Sequence, residues 1–206
     1  MVEVIEPKMV HVPAGRFVMG CVEDDKFANV HELPRRIIDV PAFELSLHPI
    51  FDPATLLPLV NVSWHDAVEY CAMLGKGYRL PTEVEWEYAC RAGTATPFPS
   101  GHLPDSLSVN FLYDEQGNRV GPGKLLQVGW GRPNAFGLHD MLGNVGEWVQ
   151  DSWRNDYAAE IVHESMKVIR GGAWDYLPRL LRSSWRDCAS ARTRRDNLGF
   201  RVARDL

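Results

Sequence analysis

The residues best suited to metal or redox chemistry are scattered along the chain. The four cysteines, Cys21, Cys71, Cys90 and Cys188, form no CxxC pair, which excludes a zinc ribbon and argues against a disulfide framework. His65 and Glu69 have the i, i+4 spacing that lets two helical side chains share a ligand. A capping box followed by an exposed face is the favoured explanation, and no HExxH pattern accompanies them. These residues alone therefore do not indicate a catalytic metal centre.

Length and composition predict one soluble globular domain spanning 1–206. The chain has 206 residues, of which 45% are hydrophobic and 24% charged, with a formal net charge of −5. The negative charge argues against nucleic acid as a partner. No apolar run approaches the roughly 18 residues of a membrane span. The N-terminus lacks a secretory signal pattern, so we expect a cytoplasmic protein, with surface display by another route left open.

Positive charge is concentrated at the C-terminal end. From Arg170 onward there are nine Arg, no Lys and four Asp, a balance of +5, so residues 1–169 carry −10. One interpretation is that Arg and Asp pair on the surface of a single fold. The other is a C-terminal face that meets a partner, because Arg is favoured at interfaces.

Two segments predict helices. The first runs from Ser63, which can cap with Asp66, to Gly75, which can close the C-terminus. The second begins at Thr82, which forms an S/T-x-x-E capping box with Glu85. Its alternating glutamates suit the helix dipole; they are Glu83, Glu85 and Glu87.

The remaining chain predicts strands and loops. Short strands are expected at Gly15–Gly20 and Phe200–Ala203, and their pairing would bring the chain ends together. Residues 94–137 show no clear period, and a loop of that length is either functional or organised by something else, such as an ion.

Six ordered motifs carry a resemblance to a known family. They are Val12–Gly20, Val60–Ala67, Arg79–Ala89, Asn134–Trp148, Arg170–Trp174 and Asn197–Arg201. Together they resemble the formylglycine-generating enzyme (sulfatase-modifying factor) family over nearly the whole chain. The resemblance implies an α+β, C-type-lectin-like fold with a small twisted antiparallel sheet, two helices and much irregular loop.

The family's copper site is not retained in the motifs. Its enzymes oxidise a substrate cysteine to formylglycine with a copper ion held by two cysteines, whose matching positions here are Tyr176 and Leu181. Two further pocket positions of the family pattern have become Ala173 and Gly146. Thiolates select Cu(I), and a phenol or an aliphatic chain does not replace them, so we expect no copper.

The resemblance also implies structural calcium. The family's calcium turn corresponds to Asp140 and Glu147 through their side chains, and to Gly143 and Val145 through their carbonyls. Such hard oxygen ligands suit Ca²⁺. The alternative is that the two acids cap the turn without metal. A second family site matches Asn110 and Phe111, with Asp114 as a further candidate.

Residues 175–197 lack Lys, Glu, Gln and Met altogether. Randomising the adenines of AAC or AAT codons cannot produce these four residue types or Trp, and the segment contains one Trp, Trp185. The pattern resembles the variable region of proteins diversified by diversity-generating retroelements, many of which resemble the same family. An ordinary arginine-rich tail is the alternative.

On the variable-region interpretation, Trp174, Trp185, Gly199 and Phe200 are fixed scaffold with the aromatic rings mostly buried. The ligand-binding positions would cluster on one exposed face, where they meet a protein or other macromolecule. They are Asp175, Tyr176, Leu177, Arg179, Leu180, Asp187, Ser190, Arg192, Arg194 and Asp196, with Cys188 and Asn197 as further variable positions.

The sequence therefore favours a non-catalytic ligand-binding protein. A divergent oxidoreductase of the family, or a pseudoenzyme that binds cysteine-bearing peptides, are the alternatives.

Overall fold

The computed structural model describes residues 4–161 and 163–206. The start of the N-terminal stretch used for the localisation, residues 1–3, lies outside them. In the described part, no helix is both long enough and apolar enough to span a bilayer.

Both predicted helices are present. Helix α1 spans Trp64–Leu74, and the backbone N–H of Ser63 donates to the Asp66 carboxylate at 2.6 Å, as expected for a capping box. Helix α2 spans Glu83–Arg91 and is capped in the same way by Thr82 and Glu85. It ends where Ala92 adopts a left-handed conformation with φ of 45°.

Within residues 4–161 and 163–206, nine short strands form three small sheets. Their order is β1–β4–β9, β2–β3 and β7–β6–β5–β8, and all neighbours are antiparallel except β5 and β8, which run parallel. The strands are β1 (Met9–Val12), β2 (Gly15–Met19), β3 (Arg36–Val40), β4 (Phe43–Ser46), β5 (Gly146–Ser152), β6 (Met166–Arg170), β7 (Asp187–Ser190), β8 (Leu198–Phe200) and β9 (Ala203–Asp205). Single-turn 3-10 helices lie at Val30–Glu32 and Pro178–Leu180. The expected α+β, C-type-lectin-like fold is confirmed.

The expected pairing of the two terminal strands is wrong. Strand β2 pairs with β3, and the predicted Phe200–Ala203 strand is divided between β8 and β9. The division falls at Arg201, whose side chain is fully buried and turned toward Glu147. The first and last strands nevertheless belong to one sheet, in which β4 lies between β1 and β9.

Candidate functional site

Residues 175–197 alternate between the interior and the surface. After the 3-10 turn at Pro178–Leu180 the chain enters the core, where Leu181 is fully buried. It then emerges along β7, which forms the edge of the four-stranded sheet. The buried members of the segment are Pro178, Leu181, Arg182, Ser183, Ser184, Arg186, Ala189, Ala191 and Asn197.

Arg182 fixes the first half of this segment from inside. Its side chain is 1% exposed, and its guanidinium donates to both Glu32 oxygens at 2.6 and 2.7 Å, and to Asp25 at 2.7 Å. Its Nε donates to the carbonyl of Arg179 at 2.8 Å, which holds the 3-10 turn. A bidentate guanidinium contact specifies orientation as well as charge, so this residue fixes the turn against the loop 21–33.

Arg186 fixes the second half of the segment. It donates to the two Glu83 oxygens at 2.6 and 3.0 Å and to the carbonyls of His31 and Arg154. Glu83 also accepts from Arg170, and Arg170 reaches Glu87 at 2.6 Å. These groups are buried, so each charge depends on its partners for the stabilisation that water would otherwise supply.

This network explains the charge asymmetry and corrects two sequence-based interpretations. The glutamates of α2 do more than complement the helix dipole: all three are buried and paired with arginines. The C-terminal arginines do not simply pair with Asp on the surface. Four of them are buried and bind glutamates from the earlier part of the chain; they are Arg170, Arg182, Arg186 and Arg201. The sequence analysis missed their role, although the opposite charges of residues 1–169 (−10) and of the segment from Arg170 onward (+5) pointed to it.

None of the ten predicted ligand-binding residues is buried. Four are exposed: Asp175, Arg192, Arg194 and Asp196. Six are partly exposed: Tyr176, Leu177, Arg179, Leu180, Asp187 and Ser190.

The contacts of these residues extend over several neighbours. Tyr176 donates to Asp187 at 3.1 Å, Arg179 contacts Glu115, and Arg194 contacts Asp66 at the start of α1. That all ten residues form one continuous face stays a prediction.

Three expected placements around this set need correction. Trp174 and Trp185 are partly exposed rather than mostly buried, while Phe200 is buried as expected. Beside Trp185 the interior positions are taken by Arg182 and Arg186, which are drawn inward by glutamates. Asn197 is buried, and its amide donates to both oxygens of Asp175, at 2.9 and 3.0 Å.

The two positions of the family copper site offer no thiolate. Leu181 packs in the main hydrophobic core. Burial, together with the adjacent Asp187 carboxylate, raises the pKa of Tyr176 to about 12, so its phenol stays neutral and acts as a donor. Cys188 is partly buried, and its pKa is raised by burial and by Asp187, which keeps the thiol protonated.

Comparison with known proteins decides the family. The model of the sulfatase-modifying factor enzyme 1-like domain matches residues 48–206. The chain belongs to this family. The formylglycine-generating enzyme of Mus musculus is 34% identical over 167 residues, covering 72% of this chain and 44% of the relative. The chain thus spans less than half the length of this curated relative.

Two solved structures have the same fold over nearly their whole length. PvdO from Pseudomonas aeruginosa is 30% identical, with a TM-score of 0.78, covering 97% of this chain and 95% of that one. Treponema denticola variable protein 1 is 21% identical, with a TM-score of 0.80, covering 100% and 98%. At that identity the second comparison shows the fold alone.

The turn expected to hold calcium is already occupied by protein donors. Glu147 is fully buried and accepts hydrogen bonds from Trp86 at 2.7 Å and from Arg201 at 2.7 and 2.8 Å. The Gly143 carbonyl accepts from the N–H of Val145, and the Asp140 carboxylate accepts from the N–H of Gly129. Arg201 thus already brings positive charge to Glu147, and calcium binding at this turn stays a prediction.

The second expected calcium site differs in one respect. Asn110 is buried, and its Oδ1 has no hydrogen-bond partner among the described residues, although its amide nitrogen donates to Lys124 and Asn144. An orphaned buried acceptor fits a cation or a bound water. Asp114, the further candidate ligand, accepts from Gln116 and Asn118 within its own turn. We therefore propose Asn110, together with the Phe111 carbonyl, as the place for structural calcium.

A chelator tests this calcium proposal. We expect excess EDTA to lower the melting temperature of the wild-type chain, because an ion that binds only the folded state stabilises it by mass action. The melting temperature of the Asn110→Ser variant should be the same with and without EDTA. Identical wild-type melting curves in calcium and in EDTA would remove calcium from the account.

The copper positions give a second prediction. We expect the purified chain to leave the cysteine of a sulfatase-type peptide unchanged, with or without added copper, because Leu181 and Tyr176 cannot hold Cu(I). Mass spectrometry of the peptide measures this, with mouse formylglycine-generating enzyme as the positive control. Conversion of the cysteine to the aldehyde would establish the divergent oxidoreductase instead. Tight binding of the unconverted peptide would establish the pseudoenzyme.

Proposed function

We propose that this chain is a non-catalytic ligand-binding protein that displays the outward side chains of residues 175–197 on a C-type-lectin-like scaffold. The observation that carries the proposal is the division within this segment. Buried Arg182 and Arg186 fix its backbone to Glu32 and Glu83, while none of the ten candidate binding residues is buried. A backbone held from beneath lets side chains on the other side change without loss of the fold.

The composition of the segment supports a further part of this proposal, that a diversity-generating retroelement varies these side chains. The window contains no Lys, Glu, Gln or Met, which adenine randomisation of AAC or AAT codons cannot produce, and Trp185, which it also cannot produce, would be a fixed position. The fold shared with Treponema denticola variable protein 1 agrees with such a role. The ligand would be a protein or another macromolecule, for which Tyr176, Arg179 and Leu180 supply the kinds of anchors that dominate interfaces.

The coding DNA tests this proposal directly. We expect a second, near-identical copy of the codons for residues 170–200 beside a reverse transcriptase gene, with differences between the copies at adenines of the outward codons. The matched control lies in the same stretch, because the codons of Leu181, Arg182 and Arg186 should be identical in both copies. Differences spread evenly over buried and outward codons, or the absence of a second copy, would leave an ordinary family tail.

A further inference from the structure

A groove of about 670 Å³ opens beside the 3-10 turn at Pro178–Leu180. Four loops form its walls: residues 22–27, 95–104, 111–116 and 178–182. Its volume lies within the range of typical ligand sites. The groove borders the proposed binding surface, because Arg179 belongs to both.

The floor of the groove is aromatic and apolar. Phe98 and Phe111 are 3% and 6% exposed, and Pro178 is also buried. Phe27 is only half-buried, and the Nζ of Lys26 lies 4.8 Å from the centre of its ring. One face of this ring is thus covered by the chain's own Lys26. A large apolar side chain that enters the groove would be removed from water against these rings.

The rim of the groove is acidic. Two of its five carboxylates are paired with Arg179 and Arg182, which leaves three carboxylates against the single cation of Lys26, a formal net charge of −2. Asp24 is exposed, and Asp114 on the opposite loop is bonded to the neutral Asn118 and Gln116. Those hydrogen bonds lower the pKa of Asp114, which therefore stays charged. Negative charge on two loops favours a partner with more than one cation and disfavours a phosphate backbone.

Two ion pairs join the walls and preform the groove. Arg179 donates through its backbone N–H and its guanidinium to Glu115, both at 2.6 Å. Arg182 donates to Asp25 at 2.7 Å. The 3-10 turn is thereby tied to the loops on both sides, and a preformed site loses less conformational freedom on binding.

We propose that this groove binds an extended segment of a partner protein in which a large apolar side chain is flanked by Lys or Arg. The apolar side chain fills the space over Phe98 and Phe111, and the flanking cations lie beside Asp24 and Asp114. The inference rests on the proposed binding function and assigns the chemistry of the ligand next to the displayed segment.

Selection of random peptides on phage, with the full chain as bait, tests this assignment. The enriched peptides are then labelled and titrated by fluorescence anisotropy. We expect them to carry an aromatic or large aliphatic residue between basic ones, and to bind less tightly as salt is raised. Phe27→Ser should weaken binding by about tenfold, as loss of an interface anchor does. Asp24→Asn should also weaken binding, and because Asp24 is exposed this variant keeps the test valid if Phe27→Ser fails to fold.

Val18→Ser is the matched control, because Val18 is an exposed apolar residue on β2 that does not line the groove. It should bind as the wild type does. Failure to enrich peptides, enrichment of acidic peptides, or unchanged binding by both groove variants overturns the assignment. If R192S/R194S abolishes binding and both groove variants do not, the proposed function stands and the groove is not its site.

Discussion

Replacing Glu87 by glutamine is expected to lower the free energy of unfolding by about 3–5 kcal/mol, the usual cost of leaving a buried charge without its partner. Glu87 is fully buried, and its carboxylate accepts from Arg91 at 2.8 Å and from Arg170 at 2.6 Å. It also accepts from the N–H of Gly20 at 2.9 Å. With a neutral amide at position 87, the buried guanidinium groups of Arg91 and Arg170 lose the carboxylate that they share.

Urea unfolding measures this loss, with Asp39→Asn as the control. Asp39 also pairs with an arginine, at 2.7 Å from Arg16, but both side chains are largely exposed. Exposed pairs contribute about 0–1 kcal/mol, so the control should remain close to the wild type. Equal effects of the two variants would show that the buried network does not hold the scaffold together.

Replacing Phe200 by alanine is expected to cost about 3–5 kcal/mol, because a large buried ring leaves a cavity behind. Phe200 is 1% exposed and packs edge-on against Tyr70, with 5.4 Å between ring centres. Trp174→Ala should cost less, since that ring is only partly buried. For a chain of this size each kcal/mol shifts the melting temperature by about 2–4 °C.

The melting temperatures of the Phe200→Ala and Trp174→Ala variants measure these losses, with Trp130→Ala as the control. Trp130 is 45% exposed, so its replacement should change stability by no more than about 0.5 kcal/mol. A Trp174 variant as unstable as the Phe200 variant would place Trp174 within the core and contradict its partial exposure.

Local signals in the sequence predicted the helices and the family well. Capping at Ser63 and Thr82 depends on residues three positions apart, so the sequence shows it directly. The ordered motifs identified the fold for a similar reason, since many short patterns had to agree.

Contacts between distant residues were beyond this reasoning. The pairing of Arg182 with Glu32 spans 150 positions, and that of Arg186 with Glu83 spans 103. The residues next to each arginine in the sequence do not show whether its side chain is buried in an ion pair or exposed at the surface. The same limit applies to Arg201, which interrupts a predicted strand and occupies the carboxylate expected to bind calcium.

The proposed division of residues 175–197 into a fixed frame and a variable surface is tested most directly by a complete substitution scan of this segment, displayed on yeast and sorted for protease resistance. Most substitutions at Asp175, Arg192, Arg194 and Asp196 are expected to leave the chain resistant. Most substitutions at Leu181, Arg182 and Arg186 are expected to make it sensitive. Equal intolerance in the two groups would contradict this division, because it would mean that the outward side chains also hold the fold.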